Sequence, residues 1–333
     1  MSQNTDTVAV LIRAKERRDG ISTGAKVRRF LGDYGILVIF ALVLLYLSIA
    51  APNFLTIDNL INVVRQSSII GIIALGMTFI MITSGIDLSV GSVVGIAGMV
   101  FAILAPASGT AFWLPMIAGL GAGLFVGFLS AALVVWGKIL PFLATLATMA
   151  IARTAALVIT DGQVVSGLSG PAEWIGSGFI GPIPVPVIIF LLAAVVCDFV
   201  LSRTKFGSHV YAVGGNEESA QKVGISVPRV LFTVYLIGGV LAALGGLVLA
   251  GRLDSAAPTA GLTYELQVIA AVVIGGTNLF GGSGTIRGTV VGVLLLAVIM
   301  NGMNLLGISS YYQQGVQGLI LALAVLLNRW KSD

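Results

Sequence analysis

The sequence predicts an all-α polytopic membrane protein of about ten transmembrane helices, with both termini inside and one short helix on the inner side. Three observations carry this. Charged residues make up only 10% of the 333 residues and hydrophobic ones 57%, whereas soluble domains carry roughly 25% charged residues. Mean hydropathy is +1.04, and the apolar character runs the whole length, which means many spans rather than one anchor. The basic residues fall almost entirely in alternate connections, as orientation by positive charge requires.

Taken in order, a charged leader at 1–34 precedes the first apolar segment at 35–51. The others lie at 68–83, 89–105, 113–135, 141–159, 183–201, 229–250, 264–277, 287–306 and 311–328, and a short tail follows at 329–333. The membrane domain is therefore 35–328, with its longest inner loop at 202–228. Several segments are shorter than the ~20 residues that a hydrocarbon core needs. The eighth is the weakest: Glu265 and Gln267 stand at its entrance and Gly275-Gly276 ends its apolar run. A broken or partial helix there is tolerated only where protein or a cavity covers it.

With the N-terminus inside, all of the 18 Lys and Arg lie inside except Arg65, Arg153 and Arg252. Dropping or adding one span moves the later basic loops outside, so the bases favour an even count. The same pattern accounts for the net charge of +4 without a nucleic-acid partner. The single cysteine, Cys197, excludes an intrachain disulfide and reads as a small buried apolar residue. Small residues at spacing four (Gly119, Gly123 and Gly127; Gly91 and Gly95; Gly288 and Gly292) allow helices to approach closely. The stretch 85–95 is faintly echoed by 282–292, as a duplication or as two independent glycine-rich turns.

One inner segment, Gly214 to Gly224, cannot enter the bilayer. Gly214-Gly215 suit a tight turn, Asn216 is a good N-cap, and Glu217 and Glu218 suit the positive helix start. Gly224 fits the position past the end, and Pro228 stops continuation. The expected helix of about two turns is too short to stand alone. Ala220 and Val223 give it a small apolar side for packing, although a plain connecting loop fits the same residues.

This stretch, with Arg203-Thr204-Lys205-Phe206-Gly207 before it and Gly224-Ile225 after it, resembles the inner loop of ribose/xylose/arabinose-type ABC importer permeases. Thr83-Ser84-Gly85-Ile86-Asp87-Leu88-Ser89-Val90-Gly91-Ser92 agrees with that resemblance. So do Tyr264-Glu265-Leu266 with Ala270 to Thr277, and Asn304 to Gln313. The resemblance covers 35–328, with the ribose branch nearest. It implies a multi-pass subunit of the bacterial inner membrane, usually a homodimer. Its implied partners are an ATPase that holds ATP and Mg inside and a periplasmic sugar-binding protein outside. Residues 214–224 would then be the coupling helix within the coupling loop 202–228, and the chain itself would be non-catalytic.

The residues agree with that division of labour. A phosphate-binding loop needs G-x-x-x-x-G-K-[ST], and Gly137-Lys138 is followed by Ile139 with Ala132 where the first glycine belongs. Buried charges are costly, so Asp87 is read as a helix cap or a gate contact, and Arg153 as snorkelling or paired with an acid such as Asp161. Uncharged hydrogen bonding and aromatic faces suit a sugar path. Asn301 with Asn304, and Tyr311, Tyr312, Gln313 and Gln317, supply them, with interhelix bonding or an interface belt as the plainer reading. His209, the sole histidine, reads as a solvated loop residue. Two rivals stay open. An intramembrane serine protease would use Gly281-Gly282-Ser283-Gly284, and an ion-coupled secondary transporter would need midplane carboxylates, whereas most acids here lie near segment ends.

Overall fold

A computed structural model describes residues 23–105, 112–168 and 170–332, with side chains followed between 35 and 326 of these. Residues 1–22 of the leader and Asp333 of the tail lie outside the described residues. Each of the ten apolar segments holds a helix, and three further helices lie between them. In chain order the first six are α1 (Thr23–Ala50), α2 (Ile57–Ile82), α3 (Val90–Leu104), α4 (Trp113–Val135), α5 (Pro141–Val158) and α6 (Pro171–Ser177). Then come α7 (Val185–Arg203), α8 (Lys205–Gly215), α9 (Glu217–Lys222), α10 (Val227–Leu253), α11 (Tyr264–Ile274), α12 (Ile286–Leu305) and α13 (Ser310–Ser332). Among the described residues six of these, α2, α4, α5, α7, α10 and α12, are long and apolar enough to cross a membrane. The apolar part of α1 (Gly35–Ala50), α3 and α11 are shorter.

The chain divides into two units at Tyr46. In the first, α1 starts at Thr23, well before the expected 35, so the end of the leader is helical. The second unit holds everything from Leu47 onward. Its second apolar segment is longer than read: α2 begins at Ile57, which puts Arg65 in a helix rather than in a loop.

Proline in the first turn starts α5, α6, α7 and α10, where its missing N–H has no intrahelical partner to lose. The middle of the unit is α10, packed against α2, α3, α4 and α6. Gly123 and Gly239 show why glycine is needed there. A Cβ on Gly123 would lie 2.5 Å from the Gly239 carbonyl, and one on Gly239 would run into the Gly123 carbonyl. The Gly119, Gly123 and Gly127 series therefore lets α4 lie directly on α10, as its spacing predicts.

Short strands tie the long connections together. β1 (Val165–Ser166) pairs antiparallel with a later strand, and β2 (Phe179–Ile180) with β3 (Ile183–Pro184) forms a tight hairpin before α7. The partner of β1 is β4 (Ser255–Ala256), so connections 160–182 and 251–263 meet. Arg252 also donates to Asn62 Oδ1 at 3.1 Å, and the Arg65 guanidinium lies 4.8 Å from the Phe179 ring centre.

The eighth apolar segment is a partial helix. At about 1.5 Å per residue, the 11 residues of α11 span about 16 Å, half of a bilayer core. Non-helical chain precedes it and reaches the first two turns of α3, where Gly91 and Gly95 leave room for Gly261 and Ala260. Arg153 satisfies this irregular backbone. Its Nη1 donates to the carbonyls of Pro258 and, at 2.9 Å, Ala260, with the Glu265 charge nearby. Asp161, the acid suggested by sequence, is exposed and is not its partner. A guanidinium with five donors serves two unpaired carbonyls better than a single distant carboxylate does.

Candidate coupling site

Two helices rather than one occupy the connection 202–228. Thr204 caps α8 by accepting from the Gly207 N–H, and Val210 and Val213 bury one side of it. Phe206 in its first turn stacks on Phe79 of α2, ring centres 6.4 Å apart. Gly214 and Gly215 are the last residues of α8, not a tight turn. Packing explains the glycine at 214: a Cβ there would fall on the Ile82 carbonyl, whereas one at Gly215 meets nothing within 4 Å. His209 lies within α8 and is half-buried, not in a loop.

Asn216 ends α8 and caps α9, its Oδ1 accepting from the Ser219 N–H at 2.7 Å. Glu217 and Glu218 follow in the first turn, and Lys222 in the last turn bonds Glu218 at 2.7 Å. That pair is open to solvent and adds little stability. The end is a Schellman motif. Ile225 N–H bonds the Ala220 carbonyl at 3.1 Å, Gly224 N–H bonds Gln221 at 3.0 Å, and Gly224 takes φ +85°. Ala220 is the single buried residue of α9, at 3% exposure. Val223, expected on the same packed side, is 77% exposed because it follows the last helical residue and turns outward. The result is a rod fixed at both caps, held by one small apolar contact and open everywhere else.

A glycine strap fastens α8 to the rest. Gly281, Gly282 and Gly284 all have positive φ, which lets the chain between α11 and α12 lie flat against the end of α2. Gly282 N–H donates to the Ile82 carbonyl at 2.9 Å, and Ser84 Oγ donates to the Phe280 carbonyl at 2.8 Å. Tyr211 Oη of α8 donates to the Gly284 carbonyl at 2.7 Å. Burial, and then the Asp198 carboxylate, hold the Tyr211 phenol above its ordinary range, so it stays a donor. The bond from Ser84 to Phe280 thus joins the residues just before the two stretches, 85–95 and 282–292, that echo each other in sequence. In sequence the four strap residues read as a short protease-like pattern and, from Gly282 on, as part of the faint echo of 85–95. Three glycines within four residues were the signal of a close backbone approach.

Next to the strap is the turn between α2 and α3. Asp87 is buried, and its Oδ1 accepts from the Ser89 N–H at 2.8 Å and the Ser89 hydroxyl at 2.6 Å. Thr145 of α5 brackets this turn, donating to the Ile86 carbonyl at 3.0 Å and accepting from Leu88 N–H at 3.2 Å. Below it opens a cleft of about 470 Å³ bounded by Thr83, Ser84, Lys138, Glu217, Gln221 and Tyr235. Glu217 and Gln221 are one helical turn apart on α9, so the rod forms one wall of the cleft. Sequence did not place Lys138 beside the rod, because only the fold brings 136–140 and 202–228 together.

The sugar-path candidates have local partners. Asn301 of α12 and Asn59 of α2 exchange amide hydrogen bonds of 2.8 and 3.0 Å. Gln313 donates to Asn304 Oδ1 at 2.7 Å and to the Ile308 carbonyl, closing the turn from α12 to α13. Gln317 is buried against the Met300 sulfur at 3.2 Å. Tyr311 and Tyr312 stand out from the surface, 86% and 72% exposed.

A family model described as "Branched-chain amino acid transport system / permease component" matches residues 59–325, from α2 through α13. The chain belongs to this permease family. Among its relatives is the ribose import permease protein RbsC of Bacillus subtilis (strain 168), 45% identical over 301 residues, covering 88% of this chain and 91% of the relative. The ribose import permease protein RbsC of Haemophilus influenzae is 40% identical, covering 81% and 85%. The D-allose transport system permease protein AlsC of Escherichia coli (strain K12) is 39% identical, covering 80% and 82%. No solved structure matches the chain. The permease match takes in the rod, the strap and the cleft together.

Proposed function

We propose that the chain is the membrane-spanning subunit of an ATP-driven importer that moves a monosaccharide, ribose or a related pentose, from periplasm to cytoplasm. Family membership and the ribose and D-allose permeases aligned over four fifths or more of the chain support the substrate class. The observation that carries the mechanism is α9: a helix capped at both ends, buried only at Ala220 and strapped through α8 to the turn that holds Asp87. A rod open to solvent on all other sides is suited to seat in a cleft of a soluble partner.

In this reading the ten apolar segments, the eighth of them helical only over α11, cross the inner membrane with both termini inside, after a leader at 1–34 and before a tail at 329–333. Alternation has support in the contacts: connections 160–182 and 251–263 meet one another, and 83–88, 136–140, 202–228 and 278–286 converge elsewhere. Two copies assemble with an ATPase, which binds ATP and Mg, and with a periplasmic sugar-binding protein that docks on 160–182 and 252–264. Gly214, Gly215, Asn216, Glu217, Glu218, Ala220, Val223 and Gly224 form the coupling segment. Asp87 and Arg153 hold the turn and the partial helix that must shift as access alternates. Asn301, Asn304, Tyr311, Tyr312, Gln313 and Gln317 are the residues that line or flank the sugar path.

The test is charge reversal on the rod. Glu217→Lys with Glu218→Lys should leave a folded membrane protein that no longer retains the ATPase and whose sugar-stimulated ATP hydrolysis is lost. Unchanged assembly and ATP-driven uptake would remove α9 from the role.

A further inference from the structure

Away from the rod, α7 and α12 enclose an elongated groove of about 530 Å³. Its wall on α7 is a single helical stripe: Leu191, Ala194, Val195, Asp198, Phe199, then Ser202 and Arg203. Across it stand Ile286, Arg287 and Val290 of α12. Ala194 is buried and forms the floor, while Leu191, Val195 and Phe199 are 52%, 67% and 60% exposed. The groove is therefore graded. Its Leu191 end is wholly apolar, and about 18 Å along the helix it ends in two arginines.

The charges at that end do not balance. Arg287 touches Asp198 through one nitrogen at 3.2 Å, and its side chain is 83% exposed. Among the described residues Arg203 has no ion pair. One carboxylate thus faces two guanidinium groups, each able to hold a phosphate through two N–H donors. An apolar trough that ends in an excess positive charge is complementary to a phospholipid with an anionic head.

We propose that the α7/α12 groove is a binding site for an anionic phospholipid, with an acyl chain along Leu191, Val195 and Phe199 and the phosphate between Arg203 and Arg287. The partner is the phosphatidylglycerol class rather than a zwitterionic lipid, because the excess charge favours a net negative head. Only the leaflet, the cytoplasmic one, rests on the orientation given above; the site itself does not.

The test uses the full chain purified in detergent, with phosphatidylglycerol and phosphatidylcholine of equal chain length added in turn and retained lipid read by native mass spectrometry. Wild type should retain phosphatidylglycerol preferentially. Arg203→Gln and Arg287→Gln should each weaken that retention about fivefold, with phosphatidylcholine unaffected. Ala194→Trp, which fills the floor, should reduce retention of both lipids. Equal retention of the two lipids by wild type, or retention unchanged in the doubly substituted Arg203→Gln, Arg287→Gln protein, would overturn the site. So would cysteine cross-linking of Val195→Cys between two copies, which would show a second chain in the groove. Because binding in detergent does not depend on which way the chain crosses the membrane, these failures are separable from a wrong orientation. Accessibility of Arg203→Cys to an impermeant thiol reagent in right-side-out and inverted vesicles tests the leaflet independently.

Discussion

Tyr211 Oη and the Gly284 carbonyl lie 2.7 Å apart, and this single hydrogen bond joins α8 to the strap that also grips the end of α2. A force applied to α9 enters α8 through their shared residue Asn216. From there it has short polar routes to the Ile82–Asp87 turn through Gly282 and Ser84.

Tyr211→Phe removes the donor and leaves the carbonyl unpaired. The cost to folding should be about 1 kcal/mol, visible as a small fall in the detergent melting temperature. Sugar-stimulated ATP hydrolysis in the assembled transporter should fall much further than that fall in stability explains. Alkaline pH supplies a second readout. The folded phenol is held above its usual value near 10, so the unfolded chain ionises first and stability drops as pH rises past that point. The drop should be smaller in Tyr211→Phe; identical alkaline profiles would refute the linkage.

Gly214 and Gly215 are neighbours in sequence with opposite surroundings. Gly214→Ala drives a methyl onto the Ile82 carbonyl, an overpacking that costs about 1–3 kcal/mol. Gly215→Ala meets open space and, within a helix, should be neutral or slightly stabilising. Thermal unfolding of the two variants side by side distinguishes them, and equal midpoints would contradict the packing described.

The caps of α9 should matter locally. Asn216→Ala loses the bond to Ser219 N–H, worth about 1 kcal/mol, and Gly224→Ala forces a Cβ into left-handed backbone at a cost of about 1–2 kcal/mol. Since only Ala220 anchors the rod, hydrogen exchange at 217–222 should speed up while the global melting temperature barely moves. A cooperative loss of the whole fold would show that the rod is integral to the core.

Asn59 and Asn301 satisfy each other across α2 and α12. Replacing either by Ala removes the other amide's partner across the helices, leaving Asn59 only its bond to the Phe54 carbonyl, so the double replacement should cost less than the sum of the singles. A coupling energy of about 0.6–1.7 kcal/mol in a double-mutant cycle is expected. Strict additivity would leave both amides free for another role.

Much of this was legible in order along the chain. Ten apolar segments each contain a helix, and α4 and α5 start where composition and Pro141 place them. The weak eighth segment is a partial helix, as Glu265 and Gly275-Gly276 suggest. The rod was readable because its signals are local: Asn216, two glutamates, Lys222 and Gly224 each act within one turn of their own backbone.

What sequence could not decide depends on neighbours distant in the chain. Ala220 and Val223 are equally apolar, yet the end of α9 falls between them and turns only one inward. Arg153 reads from sequence as a partner for an acid such as Asp161, and the carbonyls of Pro258 and Ala260 claim it instead, because buried backbone must be satisfied. Gly214 looks like a turn residue until the Ile82 carbonyl is placed beside it. Periodicity and caps determine helices from within a few residues, whereas the strap, the cleft and the clamp exist only because tertiary packing brings together groups that the sequence keeps far apart.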